Sequence, residues 1–467
     1  MSTIVTEQLP YLCPEKLFPF LYQEPGFCWL DNALGKRLTG CSVFTRQPFL
    51  ILKAKGRKIS LVRDGYQYTF SGSPFQVLRQ LLREHQLPEK SFWGPGCFGY
   101  LSYDLGRQIE SIPEIATDDL KIPDLWLGFY DKILVFSHRD KQLWLQGANL
   151  ARKKNFQSEW KQTVIFWKEK IKKSSSLEKI SLPRIDSLSF NMTREFYLRA
   201  VKKIKDYIAA GDVYQINFAQ RFQAKGFFPE TLYLQMRKVN PTMYGGFLQT
   251  GEFSLLSNSP ELFLRKKGRV VITRPMKGTR PRGSNPDQDR QYRDQLLRSE
   301  KEAAELLMIV DLERNDLGRV CQTGTVTVKR LRILEQYPTV FQTTSLVKGI
   351  LRPGMDVTDL ILATFPGGSI TGAPKIRAME IIEQLEPHRR GFYTGCFGYL
   401  GFNGCLQLNI LIRTIMLQSS NLYYPVGGGI VWDSLPEQEY EETLIKAQAL
   451  FLTLGVSREG KSVSLSV

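Results

Sequence analysis

The chain lacks the motifs that mark the commonest enzyme classes. It has only three histidines among 467 residues, and none lies in a zinc-binding spacing such as H-E-x-x-H. It has no G-x-S-x-G nucleophile elbow. These absences disfavour histidine-based catalysis, so we expect any chemistry to depend on carboxylates, lysines and a hard metal ion.

Long apolar runs and paired cysteines are missing too. No segment approaches the roughly 20 apolar residues that cross a bilayer, and the first residues do not have the pattern of a secretory signal. The seven cysteines are scattered and include no C-x-x-C pair, which predicts reduced, mostly buried thiols. We therefore expect a cytoplasmic protein.

The composition is that of a globular protein, with 42% hydrophobic and 23% charged residues. The formal net charge of +17 is unusual. Lysines and arginines are spread along the chain but concentrate at 152–173, where Trp160, Val164 and Trp167 recur at helical spacing. This pattern favours a solvated amphipathic helix, and nucleic-acid binding is the minority alternative.

Residues 1–150 are typical of short strands, 172–188 of a Ser- and Lys-rich surface connection, and 193–212 of an amphipathic helix that ends at Gly211. We expect an N-terminal β-rich region (1–175), a catalytic region (190–455) and a tail (456–467). The segment GCFGYL occurs at 96–101 and again at 395–400. This repeat indicates that the two halves share a structural unit, unless it is a chance match.

The densest functional pattern is TRPMKGTRPRG at 273–283. Lys277 lies between Arg274 and Arg280, and neighbouring cations favour the neutral, nucleophilic form of a lysine. A hairpin predicted for 258–275 would bring Glu261 back near Lys277, where a carboxyl group can act as a general acid. An exposed basic loop and a surface ion pair are the alternatives.

Two E-x-x-E pairs lie in predicted helices at 299–316 and 436–454. Spacing of i, i+3 places both carboxylates of a pair on one helix face, and four such oxygen donors suit Mg²⁺. The same pattern is common on solvated helices.

Two glycine-rich segments are candidate anion sites. FPGGSITGAPK (365–375) leads into a predicted helix whose first amides would face an anion. PVGGGIVWD (425–433) offers amides for a carboxylate, and Arg413 would add a bidentate contact. Both segments are also explained as tight turns that require glycine.

In their order along the chain and in their residues, these segments resemble the chorismate-utilising enzyme family. The resemblance covers about 193–454 and the segment FWGPGCFGYLSYDLGR at 92–107, with DLERNDLGRV among its most specific parts. It implies an α+β fold, one large duplicated unit with two antiparallel sheets packed face to face and helices outside.

Two positions distinguish reactions within that family. Members that add water to chorismate have a lysine where this chain has Gln215, which disfavours water addition. Members that aminate ring carbon 2 and make anthranilate typically have alanine where this chain has Lys277, whereas members that aminate carbon 4 have lysine there. The resemblance therefore implies amination at carbon 4, which leads to p-aminobenzoate and folate.

The resemblance also implies a role for each site residue. Lys277 would add to ring carbon 2 while Glu261 protonates the departing carbon 4 hydroxyl group, and Mg²⁺ would hold the ring carboxylate. The expected metal ligands are Glu302, Glu305, Glu439 and Glu442, and the expected substrate contacts are Thr279, Tyr393, Arg413, Gly427, Gly428 and Gly429.

A separate glutaminase subunit is expected to supply the ammonia, because no segment has the Cys, His and Glu of a glutaminase. Amination at carbon 2 and binding without turnover remain the alternatives. Two departures from the family pattern support binding without turnover. Gln342 stands where a histidine is usual, and Gln407 stands where an aspartate is common.

Overall fold

The computed structural model describes residues 4–35, 40–150, 154–174, 183–337 and 340–456. The expected tail, apart from Val456, lies outside these residues. Among the helices of the described ranges, none is long and apolar enough to span a membrane.

The secondary structure of the described residues comprises strands β1–β24 and helices α1–α10. The strands are, in chain order, Ile4–Leu9, Cys28–Asp31, Cys41–Thr45, Leu50–Lys55, Lys58–Arg63, Tyr66–Ser71, Gly96–Leu101, Leu125–Tyr130, Lys132–Ser137, Gln142–Ala148, Arg184–Phe190, Gln215–Phe227, Tyr244–Gln249, Ser254–Ser259, Leu262–Lys267, Val270–Arg274, Met276–Pro281, Thr327–Gln336, Val340–Ile350, Gly372–Ala373, Cys396–Gly401, Leu406–Ile410, Thr414–Gln418 and Asn421–Ile430. The helices are Pro74–Glu84, Phe156–Lys173, Arg194–Ala209, Leu232–Val239, Pro286–Arg298, Glu300–Gly318, Val357–Thr364, Lys375–Leu385, Pro436–Lys446 and Gln448–Leu454.

The strands form two antiparallel sheets that confirm the predicted α+β class. Sheet A has the order β1-β10-β9-β3-β2-β13-β14-β23-β24-β12-β11, with β20 beside β12. Sheet B has the order β17-β19-β16-β15-β22-β21-β7-β8-β4-β5-β6, with β18 beside β19. One apolar core, which includes Leu30 and Val135 of sheet A and Phe98 and Tyr399 of sheet B, lies between the sheets. Three further cores lie beneath helices of the described residues.

Each sheet combines strands from both halves of the chain, as a duplicated unit requires. The repeated GCFGYL segments form β7 and β21, which are antiparallel neighbours in sheet B with Gly99 opposite Gly398. The repeat therefore joins the two halves side by side within one sheet.

Gly398 gives the first testable prediction. A Cβ atom at this position would lie 2.0 Å from the carbonyl oxygen of Gln407 on the neighbouring strand, a contact that only backbone movement can relieve. We expect Gly398→Ala to lower the free energy of unfolding by more than about 3 kcal/mol, measured by urea denaturation. Gly211→Ala is the control, because Gly211 also has a positive φ but nothing within 4 Å; its expected cost is about 1–2 kcal/mol. Equal losses for both variants would contradict this explanation.

Most local predictions are confirmed. Trp160, Val164 and Trp167 are buried on α2, so 156–173 is an amphipathic helix packed on sheet A. The seven cysteines form no disulfide, and five of them are buried. One prediction was wrong: the helix expected over 436–454 is broken at Ala447 into α9 and α10. Of the predicted connection at 172–188, residues 184–188 belong to strand β11 and residues 175–182 lie outside the described residues.

Candidate active site

A cavity of roughly 460 Å³ lies where one end of sheet B faces sheet A. Strand β17 and helix α6 line one side, and strand β24 and helix α9 line the other. All but one of the predicted site residues line this cavity: Glu261, Lys277, Thr279, Glu302, Glu305, Tyr393, Arg413, Gly427, Gly429, Glu439 and Glu442. The exception, Gly428, lies beside it and faces two of the glutamates.

Lys277 extends from β17 across the cavity towards β24. A Cβ atom at Gly429 would lie 3.1 Å from Lys277 Nζ, so the absence of a side chain there makes room for the amine. The backbone of Lys277 is held by β19, where the Thr343 hydroxyl donates to its carbonyl oxygen at 2.5 Å. Gly278 follows with a φ of +74° at an irregularity in the pairing of the two strands. The lysine is therefore fixed in a cavity and is not part of an exposed basic loop.

Glu261 lies at the entrance to strand β15 and is 4% exposed. Burial raises the pKa of its carboxyl group from an ordinary value of 4.5 to about 7, although the Ser369 hydroxyl, the Lys277 amine and the Arg413 guanidinium oppose that rise. Ser369 donates to Glu261 Oε1 at 2.5 Å. A carboxyl group with a pKa near 7 is populated in its acid form at neutral pH, as a general acid requires.

The four glutamates of the two E-x-x-E pairs face one another from α6 and α9. Burial raises the pKa of Glu305 and of Glu439, and the charge of Glu442 adds to both rises. Cationic side chains of the protein neutralise part of this charge. Lys301 Nζ is 4.0 Å from Glu305 Oε1 and 3.7 Å from Glu439 Oε1, and Glu302 and Glu442 pair with Arg280 at 3.1 Å and Lys446 at 2.7 Å.

The donor chemistry of this set fits a hard divalent cation, since carboxylate oxygens from two helices enclose one cavity. Within the described ranges, however, no three His, Cys, Asp or Glu side chains are gathered closely enough to hold a metal ion as they stand. In the structure these carboxylates pair with Lys301, Arg280 and Lys446.

Arg413 and Tyr393 line the side of the cavity next to β24. Arg413 has a φ of +51°, and burial lowers the pKa of its guanidinium group. It forms no ion pair with any residue that the structure describes. The Tyr393 hydroxyl would lie 3.0 Å from a Cβ atom at Gly427. A partly desolvated guanidinium with no carboxylate partner is suited to bind the carboxylate of a ligand.

The structure corrects the turn interpretation of the second glycine segment. Gly427–Gly429 lie inside strand β24 and pair with Ala219, Phe218 and Asn217 of β12. The pairing of β24 with β23 ends at Tyr423, so the glycine segment has a strand neighbour on one side and the cavity on the other.

The first glycine segment contributes a side chain to the site, which the sequence did not indicate. Its residues form a 3-10 turn at Gly368–Ile370, and Ser369 binds Glu261 through its side chain. Sequence reasoning had assigned the segment to backbone amides at a helix start. It also missed Lys301 and Lys446, because lysines next to glutamates on a helix have the same pattern as solvated i, i+4 pairs.

The two departures from the family pattern occupy different places. Gln342 lines the cavity and donates from Nε2 to the Thr279 hydroxyl at 3.2 Å. Gln407 lies on β22 and lines a different, small cavity beside Tyr244 and Asn409. A third glutamine, Gln215, is fully buried, with neither side-chain amide atom hydrogen-bonded to the protein. Its Nε2 atom would lie 3.0 Å from a Cβ atom at Gly429, next to Lys277.

Comparisons with known proteins agree with this geometry. Residues 41–452 match the family described as chorismate binding enzyme. The chain is 38% identical over 439 residues to aminodeoxychorismate synthase component 1 of Bacillus subtilis, covering 92% of each chain. It is 39% identical over 432 residues to anthranilate synthase component 1 of Thermus thermophilus, covering 88% of this chain and 90% of that one.

Solved structures show the same fold. Anthranilate synthase component I from Streptococcus pneumoniae superposes with a TM-score of 0.79 at 30% identity, over 88% of this chain and 92% of the other. By family match, sequence identity and fold, the chain is a member of the chorismate-binding enzyme family.

Proposed function

We propose that the chain aminates chorismate at ring carbon 4, giving 4-amino-4-deoxychorismate through a covalent adduct with Lys277. This is the activity of an aminodeoxychorismate synthase component. The observation that carries the proposal is the position of the Lys277 amine, which lies in one cavity with a carboxyl group of pKa about 7 and the four glutamates.

The charges of the cavity suit a dianionic substrate bound at two ends. The enolpyruvyl carboxylate would meet Arg413 beside Tyr393 and the open edge of β24. The ring carboxylate would lie towards the glutamates, where a cation has to offset their charge. The ring between these ends would then lie over the Lys277 amine, which reaches across the cavity to Gly429.

The reaction proceeds in two displacements. The uncharged Lys277 amine bonds to ring carbon 2, the ring double bond shifts, and the carbon 4–oxygen bond breaks as Glu261 gives its proton to the departing hydroxyl group. Ammonia then bonds to carbon 4, the double bond shifts back, and the bond from carbon 2 to the lysine nitrogen breaks. The net change is chorismate plus ammonia to 4-amino-4-deoxychorismate plus water, with the pyruvyl group retained.

Glu302, Glu305, Glu439 and Glu442 would hold a Mg²⁺ ion in place of their present protein cations. When bound, the ion neutralises the ring carboxylate of the substrate. We expect removal of divalent cations by a chelator to abolish turnover, and Mg²⁺ to restore it. Glu439→Gln should weaken Mg²⁺ binding measured by calorimetry about tenfold or more, since one charged ligand is lost.

The control for this metal prediction is Glu437→Gln, because Glu437 is exposed at the start of the same helix and does not line the cavity. Unchanged Mg²⁺ affinity in Glu439→Gln would contradict the proposed ligand set.

Amination at carbon 2 is the competing function, because identity to an anthranilate synthase component is as high as to an aminodeoxychorismate synthase component. Lys277 favours carbon 4, since members that make anthranilate typically have alanine there. The deciding test is product analysis with chorismate, Mg²⁺ and ammonia. We expect 4-amino-4-deoxychorismate and no pyruvate. Accumulation of anthranilate with one equivalent of pyruvate would overturn the proposal.

A separate lyase would convert this product to p-aminobenzoate for folate synthesis. The word "component" in the names of the relatives supports a glutaminase partner as the ammonia source. Ammonium salts should therefore support turnover by the chain alone, whereas glutamine should not until a glutaminase subunit is added. The seven free thiols support a reducing compartment such as the cytoplasm.

A further inference from the structure

Asn217, on strand β12, presents an unpartnered hydrogen-bond acceptor to the cavity that contains Lys277. The residue is 7% exposed. Its side-chain oxygen Oδ1 is buried and accepts no hydrogen bond from any residue that the structure describes. A buried acceptor without a donor costs free energy, so its position in a substrate cavity indicates that a ligand supplies the donor.

The side chain of Asn217 lies on the face of sheet A over which the Lys277 amine extends. Asn217 pairs with Gly429 of β24, and paired residues of antiparallel strands direct their side chains to the same face. A Cβ atom at Gly429 would lie 3.1 Å from Lys277 Nζ. The unpartnered oxygen therefore belongs to the part of the cavity in which the proposed nucleophile lies.

The backbone of Asn217 is tied to the turn that supports the proposed general acid. Its N–H group donates to the Thr371 carbonyl oxygen at 2.7 Å. Arg390 donates to the carbonyl oxygen of Asn217 at 2.6 Å and to that of Ile370 at 2.8 Å. The 3-10 turn that ends at Ile370 also carries the serine whose hydroxyl group binds Glu261. One short segment thus fixes Asn217 and Glu261 relative to each other.

Chorismate offers a single donor to such an acceptor. At neutral pH its two carboxylic acid groups are ionised, and the carbon 4 hydroxyl group is the only hydrogen-bond donor that remains. Carbon 4 lies across the ring from carbon 1, which carries the ring carboxylate. With that carboxylate held towards the four glutamates, the hydroxyl group faces the opposite side of the cavity.

Gln342 is a second cavity-lining amide whose carbonyl oxygen lacks a donor among the described residues, but it lies on the glutamate side. Its Nε2 atom donates to the Thr279 hydroxyl at 3.2 Å. A Cβ atom at the preceding Gly278 would lie 2.9 Å from Glu302 Oε2. Asn217 is therefore the acceptor that matches the position of the carbon 4 hydroxyl group.

We propose that Asn217 Oδ1 accepts a hydrogen bond from the carbon 4 hydroxyl group of chorismate. This inference rests on the function proposed above. The hydroxyl oxygen accepts the proton of Glu261 while its own hydrogen is bound to Asn217. As the carbon 4–oxygen bond breaks, its electron pair goes to that oxygen, which leaves as water. Asn217 thus recognises the group that distinguishes carbon 4 from the other ring carbons.

Calorimetry with two ligands tests this contact. The ligands are chorismate and its analogue with hydrogen in place of the carbon 4 hydroxyl group, each with Mg²⁺ and without ammonia. The measurements use the Lys277→Ala chain, in which the covalent step is absent. We expect chorismate to bind at least about tenfold more tightly than the analogue, because the analogue leaves the Asn217 oxygen without a donor. Asn217→Leu, which has a similar shape and no acceptor, should reduce this ratio to about one.

Gln407→Leu is the matched control. Gln407 also has a buried carbonyl oxygen without a donor among the described residues, but it lines the separate small cavity, so the affinity ratio should stay the same in this variant. A ratio that Asn217→Leu leaves unchanged would overturn the inference, as would a ratio of about one in the chain that keeps Asn217. Because the ratio is measured without turnover, it does not depend on which ring carbon is aminated, and product analysis tests that point separately.

Discussion

Lys277→Ala is expected to reduce formation of 4-amino-4-deoxychorismate by on the order of 10³-fold or more, because the nucleophile of the first displacement is lost. Ammonia itself can then bond to carbon 2 in the enlarged cavity. We therefore expect a slow product that carries nitrogen at carbon 2 in place of carbon 4. Chromatography and mass spectrometry of the products from chorismate, Mg²⁺ and ammonium salt measure both effects.

Lys277→Arg is the matched control. It keeps a positive charge between the glutamates and Glu261 but offers no neutral amine. If the lysine acted only through its charge, the arginine variant would keep most of the activity and the alanine variant would lose it. Equal loss in both variants supports the covalent role, whereas carbon 4 amination by Lys277→Ala at near the original rate would contradict it.

Glu261→Gln is expected to lower kcat by about 10²–10⁴-fold, the range for loss of a general acid. The carbon 4 hydroxyl group is a poor leaving group without a proton, and the amide supplies none. The amide still fills the space and still accepts the hydrogen bond from Ser369. Ser369→Ala should cause a smaller loss, since it leaves the acid in place.

The raised pKa of Glu261 fixes the direction of the pH dependence. With a pKa of about 7, the acid form is populated below pH 7, so kcat/KM for chorismate should fall as pH rises above about 7. A profile that is flat from pH 6 to pH 9 would contradict this role for Glu261.

Glu261→Gln should lower the activity of the chain but raise its free energy of unfolding at alkaline pH. The folded chain keeps Glu261 protonated between its ordinary pKa of 4.5 and about 7, so this group makes the free energy of unfolding fall as pH rises through that window. The full cost, on the order of 3 kcal/mol, is present above pH 7. Glu261→Gln should therefore be more stable than the original chain at pH 8 while being nearly inactive.

The sequence predicts the residues of this site better than their contacts. Lys277 and Glu261 could be paired from the sequence because a hairpin returns the chain near its start, and β15 and β16 form that hairpin. The sequence spacing could not predict that the glutamates of α6 and α9 line one cavity. These residues are over 130 positions apart, and only the packing of the sheets brings them together. The family resemblance supplied that link.

The details that were missed depend on geometry that spacing does not encode. Ser369 reaches Glu261 because the glycine segment folds into a 3-10 turn, whereas the sequence indicated a helix start. In the sequence the glycines of β24 resemble turn residues. In the structure they form part of a strand, and the absence of a side chain at Gly429 leaves room for Lys277 Nζ and the Gln215 side chain. The repeated GCFGYL segment predicted duplication but not that the two copies would be neighbouring strands.

The covalent bond between Lys277 and the substrate ring is tested most directly by peptide mass spectrometry of the chain after reaction. The chain would be incubated with chorismate and Mg²⁺ without ammonia, quenched in acid and digested. The account predicts a mass increase equal to chorismate less one water, located on the peptide that contains Lys277 and absent from Lys277→Ala. An unmodified Lys277 under conditions where added ammonia gives full turnover would contradict it.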